Sequence, residues 1–207
     1  VSATALADLA DLAVDGAVTL HEPLDMFSPE AMSVSLPLEH MRLLARSNGV
    51  EAYGGYFRVF GIGPRAGIDL HAWNDPGLWK QAWKGRADGW LCFGETGWGD
   101  QYAYRGDAGG GTVFRLDAFS MEPEPIASGF SEWMRRVLLP NAQRPRDELT
   151  VSARERLGRL PVAEHVAFLR PPAGCEVDPA TVARVPAVAA MRAAAEAWAL
   201  RGAGDGA

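Results

Sequence analysis

Between Trp90 and Tyr104 the chain reads Trp-Leu-Cys-Phe-Gly-Glu-Thr-Gly-Trp-Gly-Asp-Gln-Tyr-Ala-Tyr, two aromatic runs on either side of a glycine-rich corner. Aromatic residues favour extended backbone, and Gly97 and Gly99 supply angles that other residues resist. The pattern predicts a hairpin with strands near Trp90–Gly94 and Asp100–Arg105. It holds no recognisable catalytic constellation.

The rest of the chain is arranged around this hairpin. Leu6, Leu9, Leu12 and Ala13 recur at helical spacing, with Asp8, Asp11 and Asp15 between them. Residues 19–35 contain Pro23 and Pro29 and read as an irregular connection. A helix should start at Pro37, carry Leu38, Met41, Leu44 and Ala45 on one face, and stop at Asn48-Gly49. Strands are expected from Gly55 to Ile62 and from Ile68 to Trp73. Asn74-Asp75-Pro76 reads as a helix start, with Trp79 and Trp83 sharing a face beyond it. Thr112–Leu116 reads as a strand, Met121–Pro125 as a loop, and Ser128–Leu139 as a helix closed by Pro140. Residues 141–148 are polar and contain a proline, which suits a boundary. After it come a short helix (Ser152–Leu160), a strand (His165–Leu169) and an alanine-rich helix (Pro186–Leu200) bearing Val188, Met191, Ala195 and Trp198 on one face.

Strands in the middle and helices around them predict an α+β fold. It should have a mostly antiparallel central sheet, helices packed on one face, and a C-terminal helical extension. The expected organisation is an N-terminal helix and irregular lead-in over 1–35, an α+β domain over 36–140, and an extension over 141–207 packed on that domain.

Composition narrows the function. Of 207 residues, 48% are hydrophobic, enough for a core and too many for disorder. No apolar run approaches the roughly 20 residues a membrane helix needs, and the start lacks the pattern of a signal peptide. A formal net charge of -6 argues against non-specific nucleic-acid binding and leans towards a basic partner, although mild acidity also serves solubility alone. Cys92 and Cys175 have no zinc-like spacing to other ligands, a reducing cytosol suits them, and a disulfide between them is possible but has no support in the sequence.

Candidate site residues cluster at the hairpin corner. Trp98, Asp100 and Gln101 sit where an exposed aromatic ring would anchor a partner, but Trp98 could equally fold back over the core. Asp100 could cap a local turn through its own side chain. Glu95 and Asp100 are five apart across the turn, yet no histidine or nucleophile accompanies them for acid–base chemistry, which favours solvated turn residues. Glu95, and Asp107 in the glycine-rich turn 106–111, join the other three as expected partner contacts. His21, His40, His71 and His165 show no ligand spacing. Gly61 to Gly67 lacks the third glycine of a dinucleotide loop and leads into a strand-like run. Trp73, Trp79, Trp83 and Trp90 read as core, with a carbohydrate- or peptide-binding patch as the lesser alternative. The chain therefore offers no catalytic residue, cofactor site or metal site to sequence reading.

An ordered set of short motifs adds a resemblance. Leu36-Pro37 opens a helix that leads to Asn48-Gly49, and Phe57-Arg58-Val59-Phe60 forms an aromatic strand. There follow Asn74-Asp75, Phe93-Gly94 with Gly99-Asp100, Tyr102-Ala103-Tyr104, Val113-Phe114, Ile126-Ala127-Ser128 and Phe130, then a helix with Trp133. Over roughly Leu36 to Leu139 the chain resembles the SUKH superfamily of bacterial toxin-immunity proteins and the fungal cell-wall-synthesis regulator. Pro171-Pro172, Gly174 and Trp198 are similar to an extension on some bacterial members. The resemblance implies a non-enzymatic, cytoplasmic protein-binding domain. Its partner would be a toxin domain that it occludes, or a larger assembly on which it docks as a scaffold or regulatory subunit, and neither nucleic acid nor membrane.

Overall fold

A computed structural model of the chain describes residues 3–106, 111–169 and 181–204. Its centre is a seven-stranded antiparallel sheet in simple sequence order, β1 (Val18–Leu20), β2 (Val50–Ala52), β3 (Phe57–Val59), β4 (Trp90–Thr96), β5 (Gln101–Arg105), β6 (Val113–Leu116) and β7 (Pro123–Ala127). The hairpin read from the sequence is β4–β5. A bulge between Cys92 and Gly94 shifts its register and leaves Phe93 on the same face as Tyr102 and Tyr104.

That face is aromatic and carries α3 (Leu38–Leu44) and α5 (Phe130–Trp133). Phe93 stacks on Tyr104 with ring centroids 4.5 Å apart and meets Trp133 edge-on at 5.2 Å, and His40 of α3 stacks on Phe130 at 4.2 Å. Each aromatic pair adds about 0.5–1.5 kcal/mol beyond its burial. At the β1 edge, α1 (Ala3–Val14) buries Ala5, Leu9 and Leu12 and turns its aspartates outward, as the helical spacing predicts.

The opposite face is polar at its middle. Glu51 of β2, Arg58 of β3, Glu95 of β4 and Gln101 of β5 are successive cross-strand partners and all are buried. This face takes α4 (Leu70–Trp73), the 3₁₀ turn Lys80–Trp83, and much of the C-terminal third. That third comprises α6 (Leu139–Gln143), α7 (Glu148–Leu157), the hairpin β8 (Glu164–Phe168) with β9 (Val182–Pro186), and α8 (Ala187–Gly204). On α8, Met191 and Ala195 are buried, and Trp198 lies against Trp83 with ring centroids 6.4 Å apart.

Several elements differ from the sequence expectation, each for a local reason. Residues 19–35 contain β1 and the turn of helix α2 (Pro29–Met32), whose start is capped by the Ser28 hydroxyl. The expected strand at Ile68–Trp73 is instead α4, because Asp69 accepts from the His71 amide and caps a helical turn. Asn74 ends that turn rather than starting a helix. Its side chain pairs with both backbone groups of Cys92, at 2.6 and 2.8 Å, and pins α4 to β4. The helix before Asn48 ends at Leu44, and the Asn48 side chain instead bridges to the Ile62 backbone at 2.7 and 2.8 Å. The proline-punctuated loop is the edge strand β7, where a missing N–H costs no ladder bond. Pro140 does not close its helix. A π-helical segment at Met134–Leu138 widens the turn ahead of it, and α6 continues to Gln143. Pro171, Pro172, Gly174 and Cys175 lie outside the described residues.

Gly55 locates the joint between sheet and extension. It has a φ of 91°, and a Cβ there would drive into the carbonyl oxygen of Leu160, while the Leu160 amide bonds the neighbouring Gly54 carbonyl at 2.9 Å. Gly55→Ala is expected to cost about 2 kcal/mol or more in chemical denaturation, from backbone strain and lost contact together. A loss within experimental error would show that the approach is loose.

Candidate partner-binding surfaces

The hairpin corner, the strongest site candidate in the sequence, is largely consumed in holding the molecule together. Glu95 is fully buried. Its two oxygens accept from Arg58 Nη1 at 2.7 Å and face His165 Nε2 at 3.0 Å. Burial alone would push this carboxyl up, but His165 and Arg58 overcome it and hold the group below the usual carboxylate range. Gln101, also fully buried, accepts from the Trp73 indole at 2.7 Å and donates to the Gly99 carbonyl at 3.0 Å and towards Glu95 at 3.3 Å. Neither residue reaches the surface, so the expected direct partner contact through Glu95 and Gln101 is corrected. Both lie on inward-facing positions of the polar sheet face. The reading of Glu95 as a solvated turn residue is corrected with it.

Trp98 is half-buried. Its indole stacks on Phe168 of β8 at 5.3 Å and donates to Thr150 of α7 at 2.8 Å, so the ring spans two elements of the extension. Asp100 accepts from Thr96 Oγ1 at 3.1 Å and from the Ala118 amide at 3.0 Å, and desolvation raises its carboxyl above the ordinary value. Asp107 lies outside the described residues.

Arg58 appears in the sequence reading only as part of a strand, not among the candidate site residues. Its guanidinium donates to Glu95 and to the carbonyls of Leu160, Pro161, Val162 and Glu164, at 2.7 to 3.3 Å. An arginine fork presents five donors in a plane, which suits several carbonyls converging from one short stretch of backbone. A signal was present in the sequence. Arg58 and Glu95 are lone charges inside otherwise apolar strands, and a charge on a buried strand requires a partner.

His40 is likewise sealed in. Burial among Phe93, Tyr104 and Phe130 lowers its pKa to about 3, and Nδ1 shares a hydrogen bond with the Tyr104 hydroxyl at 3.2 Å. Among the described residues no group of three or more His, Cys, Asp or Glu is placed to hold a metal, and no helix is long and apolar enough to cross a membrane.

Two shallow hollows meet at Ser128 and Glu132. One, of about 630 Å³, runs between β7 and the helix that follows it and reaches Glu124, Ile126 and Arg136. The other, of about 470 Å³, lies at the starts of α3 and α5 and reaches Leu38, Phe130 and Arg135. The Glu132 carboxylate accepts from the Ser128 hydroxyl and amide and from Arg136, which lowers its pKa to about 2. The one charge that both hollows share is thus paired internally.

A family model described as the SMI1 / KNR4 family (SUKH-1) matches residues 29–136, just over half the chain. The chain belongs to that family. The SUKH-1 segment spans α2 to the π-helical turn, so it includes Arg58 and Glu95 but not the carbonyls that Arg58 holds. A crystal structure of Atu4351 from Agrobacterium tumefaciens is similar, with a TM-score of 0.58 and 14% identity over 90% of this chain and 88% of that one. At that identity the likeness shows the fold, and it runs well past the SUKH-1 segment. No curated protein sequence matches the chain.

Removing Arg58 leaves Glu95 with His165 alone and takes a donor from four carbonyls. Arg58→Met is expected to cost about 3–5 kcal/mol in denaturant-induced unfolding, the range for breaking one half of a buried pair. A cost below about 1 kcal/mol would show that the extension holds without it.

The acid response follows from His40 and Glu95. His40 folds neutral with a pKa near 3. Its contribution is therefore complete above the unfolded value of about 6.5 and falls by up to about 1.4 kcal/mol per pH unit below it. Glu95, held below the usual range, adds a second loss below about pH 4.3. Stability measured from pH 7 to pH 5 should fall for the wild type and flatten in His40→Phe, which can refill the aromatic box. An equal slope in both would contradict the assignment to His40.

Proposed function

We propose that this SUKH-1 chain is a cytoplasmic protein-binding domain without chemistry of its own, acting as an immunity protein that neutralises a cognate toxin by occluding it. Domains of the family generally bind protein partners, and membership makes that the parent expectation. The observation that carries the reading is the inward placement of the hairpin-corner carboxylate Glu95 and of the two histidines His165 and His40. Glu95, His165 and His40 are all buried, and each is occupied with a structural partner. A general acid or base must reach the proton it moves. The two hollows are shallow, and their shared carboxylate is already paired. Cys92 carries a free, buried thiol, in keeping with a reducing compartment.

Occlusion needs a rigid surface whose shape does not depend on the partner. A seven-stranded sheet covered on both faces supplies that rigidity. Binding would act by excluding substrate from the toxin, with steric overlap doing the work. The scaffold alternative uses the same rigidity on a larger assembly.

The test is co-expression with the toxin domain encoded beside the gene. The immunity reading expects growth to be restored and a stable stoichiometric complex to be isolated. Failure of the wild-type chain to protect, or a native assembly of megadalton size without toxin, contradicts it and favours the scaffold.

A further inference from the structure

The lead into the sheet presents an apolar pair that none of the described residues covers. Phe27 and Met32 are 88% and 76% exposed. Phe27 immediately precedes the Ser28 cap of α2 and Met32 is the fourth helical residue after it, the two positions where apolar residues ordinarily cover each other as a staple. Here neither is covered, although the turn itself is well made. The Ser28 hydroxyl caps it at 3.2 Å, and Asp25 accepts from the Phe27 amide at 3.0 Å.

The platform beneath is fixed. The Leu24 amide bonds Leu44 at 2.9 Å, the Asn48 amide bonds Glu22 at 3.0 Å, and His71 Nε2 reaches the Glu30 carbonyl at 3.2 Å and the Ser33 hydroxyl at 3.3 Å. On the same stretch Leu24 and Ala31 are buried in the core. Two large apolar groups held out on a pinned turn carry little ordering cost when a partner covers them.

Charge selects the occupant. Glu22, Asp25 and Glu30 are exposed around the turn, and no lysine or arginine occurs between His21 and Met41. Arg65 approaches Glu22 at 3.8 Å, with both side chains exposed to solvent. A second copy of the chain, docked symmetrically, would set these acids against themselves. Nucleic acid and anionic lipid are repelled for the same reason. We infer that the turn bearing Phe27 and Met32, ringed by Asp25 and Glu30, docks a cationic amphipathic protein segment, apolar side chains flanked by lysine or arginine. This deepens the immunity reading and rests on it, because it names the surface and the chemistry of the toxin domain it would meet.

The probe is a synthetic leucine–lysine amphipathic helix of about 18 residues, long enough for about five turns. It is titrated into the isotopically labelled chain while backbone amide signals are followed. The expected shifts concentrate in residues 22–36. Affinity should fall about tenfold or more in F27S/M32S, and again in D25K/E30K. Raising salt from about 50 to about 300 mM should weaken binding further. Reversal of the α1 acids in D8K/D11K/D15K should leave affinity within about twofold, which separates a site from general acidity. Unchanged thermal melting of F27S/M32S confirms that its fold is intact. Shifts centred elsewhere, affinity indifferent to Phe27 and Met32, or self-association through this turn would overturn the assignment. Toxin protection separates the two levels. Protection retained by F27S/M32S overturns this surface and leaves the immunity reading standing. Absent protection by the wild type, with peptide docking at the turn intact, overturns the immunity reading and leaves the surface.

Discussion

The structure turns on one guanidinium group. Arg58 projects from the third strand of the sheet into a sealed interior, where it faces Glu95 and four backbone carbonyls of residues 160–164. Burying a charge costs several kcal/mol, and hydrophobic residues of similar volume often stabilise as well or better. What an arginine adds is direction. The carbonyls it meets lie on residues 160–162, just ahead of β8, and on Glu164 at the start of that strand, and buried carbonyls left without donors are themselves costly. One fixed fork gives them donors and sets the position of that stretch on the sheet.

The other connections reinforce that placement. His165 comes from the extension to share Glu95, Trp98 leaves the hairpin corner for Thr150 and Phe168, and Gly97 accepts from the Val166 amide at 2.7 Å. Glu51 continues the polar row and takes Arg159 at 2.9 Å. The SUKH-1 segment and the residues beyond it thus share one buried network. Glu95 and His165 are thereby used as internal joints. Phe27 and Met32, by contrast, are two large apolar side chains left strongly exposed on a single turn.

Much of this architecture was legible because it is local and periodic. The β4–β5 hairpin, α1 and the buried stripe of α8 follow from aromatic alternation and helical spacing. Elements set by tertiary contact were not. Asn74 resembles a helix start until its side chain is seen to pair with Cys92 of β4, and Pro123 and Pro125 resemble a loop until the strand is found at a sheet edge. The site was partly legible for a related reason. The sequence drew attention to the right corner, but charge and polarity suggested an outward surface. Whether Glu95 and Gln101 face a partner or the interior depends on what packs over them, and residues 160–165 arrive from some seventy positions away. The lone arginine in an apolar strand was the better clue.

Native-state hydrogen exchange tests the central claim most directly, through the amides of Leu160 and Val166, which bond Gly54 and Gly97 across the joint. If Arg58 locks the extension into the core, these amides exchange with the same opening free energy as those of β4 and β5, through global unfolding alone. Exchange of Leu160 and Val166 by a separate opening at clearly lower free energy, with β4 and β5 still protected, would show an extension that merely rests on the sheet and would contradict the account.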